Sequence, residues 1–74
     1  MMNILSNAEI ATALENIVIG AAHNEYALNT AATHQAISEG EREVVQKFQR
    51  NESVTFVDRS TLEQVAAKIR KHTF

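Results

Sequence analysis

The chain contains no cysteine, which removes disulfides and thiolate zinc sites together as means of holding a small fold. It contains no proline, so nothing fixes a break inside a helix, and it has only two glycines. It also lacks an excess of charge. Seven basic against nine acidic residues give a net charge of −2, with no bulk attraction to phosphate backbones or anionic membranes. Long apolar runs are missing: Glu9 and Glu15 interrupt the first one, and Met1-Met2-Asn3-Ile4-Leu5 has no basic flank. The expectation is therefore a cytoplasmic protein without a signal peptide or membrane span. The sequon Asn51-Glu52-Ser53 is a chance match in that setting.

What is present is a chain of 74 residues, 45% hydrophobic and 22% charged, enough for one folded domain over residues 1–74. A chain this short buries a small share of its surface. With disulfides excluded, self-association is the expected remedy, and a dimer the expected form.

Helix starts are written as capping boxes, in which a Ser hydroxyl and a Glu carboxylate three residues later satisfy each other's free backbone N–H groups. Ser6 with Glu9, Ser38 with Glu41 and Ser60 with Glu63 fit this pattern, and Leu5 and Ile10 add a hydrophobic staple to the first. Asp58 is a rival cap for the last helix, with Val57 and Leu62 as its staple. Ile10, Leu14, Ile17, Ala21, Leu28 and Ala31 recur at helical spacing, which predicts one long helix over roughly residues 6–36. Asn24 and Gln35 fall on the same track, either as polar register-setters or at a solvated edge. Gly20 costs about 1 kcal/mol relative to Ala inside such a helix, and a close helix crossing, or else a local bend, would account for it.

At 100° per residue Ile37 lies opposite Leu28, and Val44, Val45 and Phe48 share its face. The change of face, the Ser38 box and Gly40 predict a second helix over about residues 39–50. Residues 50–53 read as a loop. Val54-Thr55-Phe56-Val57 is a β-prone run, read as an extended linker burying Phe56, with a strand as the open alternative. A C-terminal helix carries Leu62, Val65, Ala66 and Ile69, with Phe74 close behind, and ends in Lys68, Arg70, Lys71 and His72, where the helix dipole favours cations. The expected fold class is all-α, assembled as a helical oligomer.

Chemistry is sparse. His23 and His34, eleven residues apart on one helix, stand about 16 Å apart along its axis and cannot chelate one ion within a chain. No HExxH, GxSxG or glycine-rich phosphate loop is present, and the carboxylates read as caps or solvated faces. No enzyme activity, cofactor or metal is expected. The last helix could touch DNA through Lys68, Arg70 and Lys71, but a helix-turn-helix unit needs a recognition helix after it, and the sequence stops at Phe74.

Two apolar faces on so small a chain favour a protein–protein interaction module: an inhibitor, adaptor or regulator of a larger protein that acts as a homo-oligomer. Leu14, Ile17, Ala21, Leu28 and Ala31 are its expected self-association seam, and Ile37, Val44, Val45 and Phe48 its expected partner face. The alternative is a small DNA-binding regulator using the basic C-terminal helix. A weaker third reading has symmetric subunits enclosing a polar ligand near His23, Asn24 and Tyr26.

Overall fold

A computed structural model describes residues 5–72. Met1 to Ile4 and Phe74, named in the sequence reading, lie outside the described residues. Four helices follow one another: α1 (Asn7–Val18), α2 (Glu25–Ala32), α3 (Glu39–Gln49) and α4 (Phe56–Lys71). The all-α class holds, and among the described residues there is no strand. The single helix over residues 6–36 does not hold: it is two helices with a break over residues 19–24.

The reason for that break is local. Gly20 has φ +76°, the left-handed conformation that suits glycine, and sits two residues past Val18, where α1 ends. The Gly20 N–H donates to the Ile17 carbonyl at 3.1 Å and the Ala21 N–H to that of Asn16 at 2.9 Å. These two bonds complete a Schellman motif, which satisfies carbonyls the helix end leaves open. Asn24 then restarts the helix: its side-chain oxygen accepts the Ala27 N–H at 3.0 Å. Gly20 is therefore a stop and Asn24 a cap, and neither is part of a seam. Asn51, with φ 54°, closes α3 by the same two-bond motif.

The capping boxes at Ser6 and Ser38 are both formed. The last helix begins earlier than either expected start. Thr55 is its N-cap and Asp58 closes a third box, the Thr55 N–H donating to Asp58 Oδ2 at 3.0 Å. The β-prone run thus becomes a cap and a first turn. Val54, not Phe56, packs against the core.

The helices alternate in direction. α1 and α4 form the most extensive pair, held at one end by Asn7 Nδ2 donating to the His72 carbonyl at 3.0 Å. Arg59 Nη1 donates to the Val18 carbonyl at 2.9 Å at the other end, so the two helices run antiparallel. α2 and α3 form the second pair, tied by Arg42 Nε donating to the Ala32 carbonyl at 2.6 Å. The core lies between the pairs, with Leu14, Leu28, Val45, Leu62, Val65 and Ile69 fully buried. Each such side chain contributes about 1.5–3 kcal/mol when removed from water. The radius of gyration, 11.2 Å, is what a close-packed chain of this length requires, about 11 Å.

Candidate functional site

Alternating helix directions give the molecule two poles. One gathers the end of α1, the start of α2, the end of α3 and the start of α4; the other gathers the opposite ends. The second pole holds an ion pair to a buried carboxylate and a pair of imidazoles. There Glu41 is buried, accepts the Ser38 N–H at 2.8 Å and pairs with Lys68 at 2.8 Å. Burial works to raise the Glu41 carboxyl, but the Lys68 ammonium and the Ser38 N–H outweigh it and hold it below the ordinary value. His34 and His72 meet edge to face at this pole.

The first pole carries the exposed apolar side chains. Ile19 is 73% exposed just past the end of α1, and Phe56 and Val57 are 83% and 68% exposed in the first turn of α4. Tyr26, 41% exposed in the first turn of α2, lies at the same end, beside a cavity of about 360 Å³ that it shares with Asn29 and Gln49. These four are the large hydrophobics exposed among the described residues, and the topology brings all of them to one pole. Their backbone is not loose. The Thr55 box fixes the start of α4, and Asp58 accepts the Thr55 N–H, which lowers its carboxyl despite burial, with Lys47 at 3.4 Å adding to the effect. Arg59 ties the same turn to the end of α1. His23, Glu25 and the Arg50–Glu52 ion pair are exposed polar groups at the same pole.

The residues singled out from sequence fall elsewhere. Of the expected self-association seam, Leu14, Ile17, Leu28 and Ala31 are buried in this chain's own core, while Ala21 is exposed in the α1–α2 break. Splitting the long helix folds its stripe onto itself, and this removes the reason for placing a seam there. Of the expected partner face, Ile37, Val45 and Phe48 are buried and Val44 is half-buried against the same core. The two opposed faces that argued for a partner are covered by each other within one chain.

The basic end of α4 is largely engaged. Lys68 is paired with Glu41, and Arg70 Nη2 holds Glu15 at 2.8 Å and Thr12 at 3.2 Å, while Lys71 is exposed. His23 and His34 stand on different segments, and among the described residues no group of three or more His, Asp or Glu side chains is placed to hold a metal. Asn24 is occupied in capping α2, away from a shared polar site with His23 and Tyr26. It borders an open groove of about 420 Å³ along α1, lined by Leu5, Ala8, Thr12 and Ala13. Among the described residues no helix is long and apolar enough to cross a membrane.

The exposed pole was missed because apolar periodicity counts every apolar residue as core. Ile19 follows the stripe residues Ile17 and Val18 directly, and Phe56 sits in a run that reads as extended. A Thr55-x-x-Asp58 box was there to be read, and it would have set Phe56 and Val57 in a first turn. Comparison with protein-family models, curated proteins and solved structures gives no match to this chain.

Proposed function

We propose that the chain is a small non-enzymatic interaction module that docks on a larger protein through the pole formed by Ile19, Tyr26, Phe56 and Val57. The observation that carries this reading is the gathering of the exposed large hydrophobics at one end, on backbone fixed by a capping box and the Arg59 bond. An ordered apolar centre with a polar rim is the anatomy of a protein contact, and aromatic side chains are its usual anchors. Four side chains present on the order of a few hundred Å². A stable interface between two copies needs about 800 Å² from each. A few anchors entering an apolar groove of a larger protein fit the patch better than a symmetric dimer.

The test places a photo-crosslinking residue at position 57, and for comparison at the exposed Glu43 on α3, in the cell that makes the protein. The expected outcome is one protein adduct at position 57 and none at Glu43. Binding of that protein, once purified, is expected to weaken by at least about tenfold in Phe56→Asp, with the helical circular dichroism unchanged. Equal labelling at both positions, or full affinity in Phe56→Asp and Val57→Asp, would overturn the reading. An adduct between two copies would replace the larger partner with a self-association.

A further inference from the structure

At the pole opposite the apolar patch, three segments converge on two imidazoles. His34 lies in the α2–α3 connection and His72 caps the end of α4, and both are half-buried. Their ring centroids are 4.9 Å apart with an interplanar angle of 83°. The Ala36 N–H donates to His34 Nδ1 at 3.1 Å, Gln35 Nε2 approaches His72 Nε2 at 3.5 Å, and Asn7 brings in α1 through the His72 carbonyl. The bond from Ala36 fixes the chemistry of His34. A ring nitrogen that accepts a backbone N–H carries no proton, so the ring is neutral with its hydrogen on Nε2. Protonated imidazole has two donors and no acceptor, and would set an N–H against the Ala36 N–H.

Among the described residues, the charged groups nearest this corner are mostly cations. α4 presents Lys68, Arg70 and Lys71 in its last turn, and α3 presents Arg42, whose Nε holds the Ala32 carbonyl. Of the carboxylates on α3, Glu41 is engaged by Lys68 and Glu39 by Arg42 at 3.6 Å, while Glu43 is exposed. Glu9, on α1, is engaged in its own capping box. The end of α2 brings no titratable side chain apart from His34.

We infer that the His34–Ala36 turn, which sets the His34 ring against His72 at the end of α4, is a pH-operated latch, closed while His34 is neutral and opened when Nδ1 takes a proton. Burial, and secondarily the neighbouring His72, holds the His34 pKa below its ordinary value. The sign follows: a histidine lowered on folding binds fewer protons in the folded state. Its stabilising contribution is whole above the ordinary value of 6.5 and is lost as the pH falls from there through the folded value. The carboxylates Glu9, Glu41 and Asp58, all lowered, act in a separate and more acidic window, below about pH 4.5.

Proton NMR between about pH 8 and pH 5 tests the latch on the whole chain. His34 is expected to titrate below the ordinary value of 6.5. The Ala36 amide shift should inflect with His34, and its hydrogen-exchange protection factor should fall about fivefold as His34 charges. His34→Asn supplies a side-chain oxygen that can accept the same N–H without titrating in this range, so it should keep Ala36 protected and flatten its pH dependence. His34 titrating at or above 6.5, an Ala36 amide indifferent to pH, or an undiminished pH response in His34→Asn would each overturn the proposal.

Discussion

At position 20 the backbone has φ +76°, and an added Cβ would meet no heavy atom within 4 Å. Space is therefore not the obstacle to a larger residue there; conformation is. Gly20→Ala is expected to cost about 1 kcal/mol, because an L side chain is disfavoured in the left-handed region. Within a continuous helix the same substitution would stabilise by about that amount. The sign of the change, read from urea unfolding, separates the two backbones directly. Gly20 was visible in the sequence, but as a composition fact inside a stripe. What makes it a stop is the pair of bonds its N–H and that of Ala21 return to α1, and these depend on a turn that residue spacing does not encode.

Among the elements, the starts of α1 and α3 were legible because a capping box is local: the hydroxyl, the carboxylate and both N–H groups lie within four residues. The start of α4 shows the limit of that reading. Ser60 with Glu63 and Thr55 with Asp58 both satisfy the pattern, and the choice between them is tertiary. Starting at Thr55 lets Asp58 meet Lys47 from α3 and lets Arg59 reach the Val18 carbonyl. Thr55→Ala should cost about 1 kcal/mol as a lost cap. Ser60→Ala, inside the helix, should stay within about 0.5 kcal/mol, both variants being read from thermal melts. A reversal of that order would put the helix start at Ser60. Arg70→Ala should likewise change little, since its pair with Glu15 is about half exposed on both sides.

For the molecule as a whole, the question is where its apolar surface goes. The stripe of Leu14, Leu28 and Ala31 that suggests a seam between copies becomes the centre of one chain once α1 and α2 fold against each other. Leu28→Ala should destabilise the fold by about 2–5 kcal/mol, a large fraction of what a small domain has, and Leu28→Asp should unfold it. A folded but dissociated Leu28→Asp chain would restore the seam. Burial of that stripe leaves the exposed pole as the surface to be explained, and it could not be read in advance because exposure is a property of the assembled bundle.

The most extensive packing in the molecule joins its first helix to its last. During synthesis, α1 leaves the ribosome with Ile10, Leu14 and Ile17 uncovered and waits for α4, several seconds later at roughly 5–20 residues per second. The α2–α3 pair is close in sequence and can form in the interval, but it leaves much of α1's apolar face open. For that time the nascent chain offers the apolar face of α1 to whatever binds unfolded segments. The demand this protein makes on cellular chaperones is thus set by the order of its helices, before its final surface exists.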